Sequence, residues 1–271
     1  MIGNQFLLNG KLFPSEEGKI SVDNLEFSYG YGVYEVLKVR NNITYFPEHH
    51  IERLFNSAKT IGLQHSLTSE CLHNYIKELV DTIPEESFNL KILLVGNGSG
   101  ADLYIFATSP LYLHSHSYTK GVSAITYQGE RQFVHAKTLN MLMSYLAYKK
   151  SKSLGAYDAI LVDRDGLIRE GTRTNLFYTD GQTIYTTPKE YVLDGVTRKM
   201  VIGALNKHGL QVIEKTLYQN ELAKYQGYFF TSTSSNILPI TKIDDASFLI
   251  PEIVKKAIKI YDSFIEEYKS I

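Results

Sequence analysis

The sequence contains little cysteine, no tryptophan and almost no net charge. Its single cysteine, Cys71, cannot form an internal disulfide, and a metal site built from several thiolates is excluded. Lys and Arg number 28 and Asp and Glu number 29, so no basic excess favours nucleic acid or an anionic membrane. The N-terminus has no charged segment followed by an apolar one, and no apolar run reaches the roughly 18 residues of a membrane span. These absences predict a cytoplasmic protein without a nucleic-acid or membrane partner.

The length and composition are those of an ordinary folded protein. The chain has 271 residues, of which 44% are hydrophobic and 21% are charged. Such values exclude long disordered segments. At about 150 residues per domain, the length allows one large domain or two modest ones.

Hydrophobic patterning predicts a mixture of hairpins and helices. Asn9-Gly10, Asp165-Gly166 and Asp180-Gly181 each separate two strand-like segments, which is a hairpin signal. Apolar residues recur at helical spacing in several other segments. The predicted helices lie at about 48–61, 72–83, 140–154, 197–208 and from 251 onward, and further strands at 43–46, 90–95, 103–108, 121–127, 211–217 and 227–232. This mixture predicts an α+β fold in preference to one doubly wound sheet.

The periodic pattern is lost at 110–120, where Pro, Ser and His interrupt it. We therefore place a smaller N-terminal α+β domain at 1–112, an interdomain linker at 113–120 and a larger C-terminal domain at 121–271. His114 and His116 have no cysteine or carboxylate nearby in the sequence, so a linker is favoured over a metal site. No metal ligand is predicted elsewhere in the chain.

Three polar clusters are candidates for ligand binding. Residues 193–198 form a turn that leads into a helix, whose N-terminal N–H groups and dipole can hold a phosphate. Residues 231–236 carry five hydroxyls at the end of a strand, and residues 170–175 place a carboxylate between two strands. Taken alone, each cluster is more typical of a structural turn or a polar loop.

Lys137 and Arg53 are candidates on chemical grounds. A lysine acts as a Schiff-base nucleophile when desolvation or a neighbouring charge lowers its pKa, although most lysines are solvated surface groups. Arg53 lies about 200° around the predicted helix from Ile51 and so lies off the apolar stripe. It faces either solvent or a ligand.

Six motifs follow one another along the chain and carry a family resemblance. They are 29–36 (YGYGVYEV), 48–54 (EHHIERL), 137–140 (KTLN), 170–177 (EGTRTNLF), 193–198 (LDGVTR) and 231–233 (TST). Their order resembles the class IV aminotransferase family, pyridoxal-phosphate enzymes of fold type IV. That family includes branched-chain and D-amino-acid aminotransferases and aminodeoxychorismate lyase. The resemblance covers nearly the whole chain, and it implies a two-domain α+β fold with the cofactor in the cleft, and a homodimer.

The resemblance also implies a role for each candidate residue. Lys137, within the predicted C-terminal domain, matches the lysine that forms a Schiff base with pyridoxal phosphate and then moves the substrate proton. Glu170 matches the carboxylate that keeps the pyridine nitrogen protonated. Leu193 matches a residue that packs on the cofactor ring, and Tyr34 matches a substrate-side tyrosine. The residues that match or adjoin the phosphate cup are Arg53, Val196, Thr197, Ser232 and Thr233.

These roles predict the behaviour of two variants. Lys137→Ala should abolish the covalent link to the cofactor. Arg53→Ala should weaken cofactor binding much more than it weakens the fold, because Arg53 faces away from the apolar stripe of its helix.

The resemblance leaves the particular reaction open. D-amino-acid aminotransferases carry an Arg-x-His pair for the substrate carboxylate in the loop that corresponds to 96–102, and this chain has neither residue there. Met141 stands where branched-chain enzymes usually have a tyrosine. Arg40, Lys91 and Arg131 are candidate carboxylate binders, and the sequence does not choose among them.

The favoured function is a pyridoxal-phosphate-dependent aminotransferase that acts on a small amino acid and a 2-oxo acid. Lys137 and Glu170 serve the alternative equally well, a 4-amino-4-deoxychorismate lyase that releases pyruvate and 4-aminobenzoate for folate biosynthesis. A non-catalytic pyridoxal-phosphate-binding protein is a minor alternative. The presence of both the lysine and the carboxylate argues against it.

Overall fold

A computed structural model describes residues 1–110 and 113–268 of the chain. They divide into two compact units, Met1–Leu111 with His135–Met141, and Tyr112–Val134 with Leu142–Ile271. The expected end of the first domain, residue 112, lies outside the described residues, and the expected domain boundaries stay a prediction. The short segment His135–Met141, which contains Lys137, groups with the first unit and not with the residues on either side of it.

The first unit contains a six-stranded antiparallel sheet with the strand order β2-β1-β6-β5-β3-β4. Asn9 and Gly10 both have positive φ, 49° and 82°, which is the conformation of the tight turn that joins β1 to β2. The elements of this unit are β1 Ile2–Leu8, β2 Lys11–Pro14, α1 Leu25–Ser28, β3 Gly32–Arg40, β4 Ile43–Thr44, α2 Pro47–Thr60, α3 Ser69–Val80, β5 Ser87–Gly96 and β6 Ala101–Thr108, with a 3-10 helix at Ser15–Glu17.

Helices α2 and α3 pack against this sheet to form the core of the first unit. Pro47 opens α2, where its missing N–H costs no helical hydrogen bond, and the Thr68 side chain caps α3 by accepting from the Cys71 N–H at 3.1 Å. Ile51, Leu54 and other apolar residues of the predicted stripes are buried in this core. The residues of β3 and β5 alternate, so one set enters the core and the other lies on the opposite face of the sheet.

The second unit contains a nine-stranded mixed sheet. The main strand order is β12-β11-β10-β13-β14-β7-β8-β9, and β15 pairs with β14. The β14–β7, β7–β8 and β11–β12 pairs are parallel. Its elements are α4 His116–Lys120, β7 Val122–Gln128, α5 Leu142–Ser153, β8 Asp158–Val162, β9 Ile168–Gly171, β10 Asn175–Thr179, β11 Ile184–Thr186, α6 Val196–Lys207, β12 Val212–Glu214, β13 Gly227–Ser232, β14 Asn236–Ile243, β15 Ala246–Ser247 and α7 Glu252–Tyr268, with 3-10 helices at Lys189–Tyr191 and Gln219–Lys224.

The predicted α+β class is confirmed, and the three predicted hairpins are present. Sequence patterning missed β14, a central strand that contains Pro239. Proline is rare in central strands because it cannot donate to the ladder. Here Pro239 pairs with Phe229 of β13 but precedes Ile240, the first β14 residue that pairs with β7. The missing N–H therefore falls where the second neighbouring strand has not begun.

The helices of both units are short or amphipathic. Across residues 1–110 and 113–268, no helix combines the length and the apolar character that crossing a bilayer requires.

Candidate active site

The backbone around Lys137 is attached to the edge of β3. Tyr34 N donates to Lys137 O at 2.9 Å, Leu139 N donates to Gly32 O at 2.9 Å, and Val33 forms an antiparallel bridge with Thr138. Lys137 N also donates to the Oγ of Ser57, a fully buried residue of α2, at 3.0 Å. This extra strand-like pairing explains why the segment groups with the first unit. It fixes the position of the lysine against a sheet and a helix.

The side chain of Lys137 lies on Tyr34, the predicted substrate-side tyrosine. The Lys137 Nζ is 4.6 Å from the centre of the Tyr34 ring, and Lys91 Nζ is 5.9 Å from the same centre. Tyr34 is 7% exposed. The structure thus brings together two residues that the sequence singled out separately, and it adds the cation of Lys91, one of the three candidate carboxylate binders.

Arg53 is held by a buried carboxylate, which the sequence reasoning did not identify. Its Nε lies 2.6 Å from Glu35 Oε1, and its Nη2 donates to Glu35 Oε2 at 2.8 Å. The Nδ1 of His50 lies 2.7 Å from the same Oε2. Glu35 is fully buried and His50 is 1% exposed, whereas the Arg53 side chain is 12% exposed. We call Glu35, His50 and Arg53 the Glu35 cluster.

The charges within the Glu35 cluster are strongly coupled. Burial by itself would raise the pKa of Glu35, but the Arg53 guanidinium and His50 outweigh it and hold that pKa far below its usual range. Burial lowers the pKa of His50 more than the neighbouring Glu35 carboxylate raises it, and the Arg53 and Lys137 charges lower it further. Near neutral pH the cluster therefore contains a carboxylate, a guanidinium and a neutral imidazole, whose Nδ1–H donates to Glu35.

In the second unit, Glu170 is buried within a separate set of donors. Leu193 N donates to both carboxylate oxygens at 3.3 Å, and Asn175 Nδ2 donates to Oε2 at 3.1 Å. The same Asn175 amide donates to Leu193 O at 2.8 Å. Arg131 Nε forms an ion pair with Oε1 at 2.8 Å, and its Nη2 donates to Thr172 O at 2.8 Å. We call Glu170, Arg131, Asn175 and Leu193 the Glu170 cluster.

The Glu170 cluster changes the interpretation of Arg131. The sequence raised it as a candidate for the substrate carboxylate, but its guanidinium is paired with a carboxylate of the protein itself. Of the remaining two candidates, Arg40 Nη1 donates to Ser87 Oγ at 2.8 Å near the end of β3, and Lys91 lies beside Tyr34.

The N-terminus of α6 follows directly from the Glu170 cluster. Its N-cap residue is Gly195, and no side chain caps the helix. Val196 and Thr197 are 3% and 7% exposed, so the first turn is buried. A Cβ at Gly195 would lie 2.0 Å from Asn175 Oδ1, so only glycine lets the Asn175 amide reach Glu170 and Leu193. A buried helix start without a side-chain cap is suited to an anion.

The hydroxyl cluster at 231–235 joins β13 to β14. Ser232 Oγ lies 2.7 Å from Ser235 Oγ and accepts from Ser235 N at 3.2 Å, and Thr233 is partly buried. Thr231 is 1% exposed, and its Oγ1 has no hydrogen-bond partner among the described residues. A buried hydroxyl in that situation is costly unless a ligand or water completes it.

Four residues escaped the sequence reasoning or received another role from it. Glu35 and His50 stand inside the quoted motifs 29–36 and 48–54, but a strand residue and a helix residue give no local signal that they will meet. Asn175 also belongs to a quoted motif, 170–177. Arg131 could have been found only from its spatial neighbour Glu170, which lies 39 residues further along the chain.

Comparison with known proteins identifies the family. The family model described as amino-transferase class IV matches residues 32–243. The D-alanine aminotransferase of Bacillus licheniformis is 32% identical over 249 residues, covering 88% of each chain. A branched-chain amino acid aminotransferase from T.th., solved with pyridoxamine 5'-phosphate, superposes with a TM-score of 0.87 at 25% identity, over 99% of this chain and 95% of that one. A putative 4-amino-4-deoxychorismate lyase of Legionella pneumophila superposes with a TM-score of 0.83 over 90% and 95% of the two chains. At 21% identity it shows a shared fold alone.

The chain therefore belongs to the class IV aminotransferase family, and it has the fold of type IV enzymes. The family resemblance carried by the six motifs is confirmed.

Proposed function

We propose that this protein is a pyridoxal-phosphate-dependent aminotransferase that moves an amino group between a small amino acid and a 2-oxo acid. The observation that carries the proposal is Lys137, whose backbone is fixed to β3 and whose amine lies 4.6 Å from the centre of the Tyr34 ring. A relative named as a D-alanine aminotransferase and a solved branched-chain enzyme holding pyridoxamine 5'-phosphate support the same chemistry.

The residues present fit this cofactor. The buried first turn of α6 has no side-chain cap, and the buried Thr231 hydroxyl has no partner among the described residues. We propose that Lys137 holds the aldehyde carbon, that Glu170 faces the pyridine nitrogen and that Leu193 packs on the ring. The phosphate would be bound by Arg53, the N–H groups of Val196 and Thr197, and the hydroxyls of Ser232 and Thr233. When bound, the cofactor supplies an electron sink for the carbanion formed at the substrate α-carbon.

The residues of the chain then divide the remaining work. The Lys137 amine removes a proton from the substrate α-carbon and returns it, which is general acid–base catalysis by one group. Glu170 stays ionised among the donors of its cluster and holds a proton on the pyridine nitrogen. Tyr34 lies against the Lys137 side chain and restricts its motion.

We propose Lys91 as the group that attracts the substrate carboxylate. The loop between β5 and β6 is a tight polar turn, in which Asn97 N donates to Gly100 O and Asp102 accepts from the Asn97 side chain. An anionic turn of this kind repels a carboxylate. Lys91 instead lies on the same face of the sheet as Tyr34.

A cytoplasmic location and a homodimer stay predictions. The chain exposes apolar side chains in and next to α1, with Leu25 at 66%, Phe27 at 43% and Tyr29 at 76%. A homodimer interface would cover such residues, and sedimentation at several protein concentrations measures the oligomeric state.

The proposal is tested with purified protein, pyridoxal phosphate and a panel of L- and D-amino acids. We expect an absorbance band of the bound cofactor that amino acids remove with release of the matching 2-oxo acid. Borohydride should fix the cofactor to Lys137, and Lys137→Ala should abolish both signals. Pyruvate and 4-aminobenzoate released from 4-amino-4-deoxychorismate would identify a lyase instead. A cofactor band that responds to no amine would indicate a binding protein.

A further inference from the structure

The orientation of the Arg53 guanidinium is set from one side. Glu35 binds it along the edge formed by Nε and Nη2, with 2.6 Å and 2.8 Å contacts to the two carboxylate oxygens. Because the guanidinium is planar, this side-on pairing directs the other edge, formed by Nη1 and Nη2, away from Glu35. That second edge has the fork geometry that binds two oxygens of a phosphate.

The Glu35 carboxylate is itself fixed. It extends from β3, and both of its side-chain partners extend from α2, where His50 and Arg53 are three residues apart on one helix face. His50 Nδ1 lies 2.7 Å from Oε2 and prevents that oxygen from rotating out of the Arg53 contact. Since Glu35 is fully buried, its charge has no water to turn to and depends on these two partners.

We propose that Glu35 and His50 are positioning residues, which hold Arg53 ready to bind the phosphate of the cofactor. This inference rests on the proposed function. A free arginine side chain has many rotamers and loses them on binding, whereas a clamped one has already lost them during folding. The Glu35 cluster thus transfers the ordering cost of Arg53 from cofactor binding to folding.

The expected effect concerns the phosphate group alone. In protein freed of cofactor, the ratio of the dissociation constants of pyridoxal and pyridoxal phosphate measures how much the phosphate contributes to binding. We expect Glu35→Gln to lower this ratio by about tenfold or more. Pyridoxal binding itself should change little, because pyridoxal has no phosphate to contact Arg53.

A second pair of variants keeps the test sound where Glu35→Gln folds poorly. His50→Leu removes the donor to Oε2 and should lower the ratio about threefold. His50→Asn places an amide N–H near the position of Nδ1 and should restore most of it.

The matched control is another buried carboxylate–arginine pair. Asp163 is 3% exposed and lies 2.6 Å from Arg169 in the second unit, and neither residue is a predicted site residue. Asp163→Asn should lower the melting temperature while leaving the ratio unchanged.

The outcomes distinguish the inference from the proposed function. A wild-type protein that does not prefer pyridoxal phosphate over pyridoxal would overturn the proposed function. A wild-type preference that persists in Glu35→Gln and in His50→Leu would overturn the inference alone. Equal losses of affinity for both ligands would also overturn it, since they indicate a general structural role.

Discussion

The two units of this protein each bury a glutamate against an arginine, and they use these pairs differently. Glu35 is fully buried and Glu170 is 3% exposed, and their arginines are similarly covered, with Arg53 at 12% and Arg131 at 11% side-chain exposure. In the Glu35 cluster both partners are side chains of one helix. In the Glu170 cluster the arginine is joined by a backbone N–H and an amide side chain from two further elements.

This difference shows which group each cluster serves. Glu35 directs the guanidinium of Arg53, the residue that matches the phosphate cup of the family. Glu170 is itself the directed group, because Leu193, Asn175 and Arg131 fix its two oxygens. A buried ion pair in a sequence of this family therefore has to be assigned by its other partners.

The largest expected effect is on stability when each arginine is removed. Arg53→Ala leaves Glu35 fully buried with only His50, and breaking such a pair costs about 3–5 kcal/mol of unfolding free energy. Arg131→Ala should cost about 1–3 kcal/mol, because Glu170 keeps its bonds to Leu193 and Asn175. Urea denaturation of the two variants measures the difference. Equal losses would show that the two clusters are energetically alike.

This expectation corrects the one drawn from the sequence for Arg53→Ala. The helical wheel placed Arg53 off the apolar stripe and predicted a small effect on folding. The structure pairs Arg53 with a buried carboxylate of β3, so the variant should weaken the fold as well as cofactor binding.

The second prediction breaks the Glu170 cluster without changing any charge. Gly195→Ala places a Cβ 2.0 Å from Asn175 Oδ1 and should displace the amide that bridges Glu170 and Leu193. We expect a loss of about 1–3 kcal/mol in unfolding free energy. Gly203→Ala, in the same helix, has open space around its Cβ and should instead stabilise by about 0.4–1 kcal/mol. Thermal denaturation of both variants tests this, and a stable Gly195→Ala protein would contradict the proposed crowding.

The smallest expected effect is a pH dependence that belongs to the Glu35 cluster. The pKa of His50 lies below its ordinary value of 6.5 in the folded protein, so below that pH the unfolded chain binds the proton first. Stability should therefore fall as the pH decreases from 6.5, by at most about 1.4 kcal/mol per pH unit from this residue. Protonation of Glu35 adds a further loss only below its unfolded value of 4.5.

Urea midpoints measured between about pH 7 and about pH 5 test this dependence. His50→Asn should flatten the profile. His65, whose pKa burial also lowers, adds to the same window, so His65→Asn serves as the comparison variant. A profile that His50→Asn leaves unchanged would mean that His50 does not titrate with unfolding.

Much of the local structure could be predicted because its causes are local. Apolar spacing at 51, 54 and 58 gives α2 its buried face, and the positive φ of Asn9 and Gly10 produces the first hairpin. The strand β14 could not be predicted, since Pro239 is tolerated there only because β7 begins pairing one residue later. That condition depends on a strand more than 100 residues away in the sequence.

By itself, the sequence determined the elements, the family and the identity of the candidate residues, because periodicity, turn chemistry and motif order are properties of short stretches of chain. Tertiary structure decided the partners: that Lys137 attaches to β3, that Arg53 is clamped by Glu35 and that Arg131 pairs with Glu170. The physical reason is that a buried charge is stable only beside a group that compensates it. Which group that is depends on how strands and helices distant in the chain pack together.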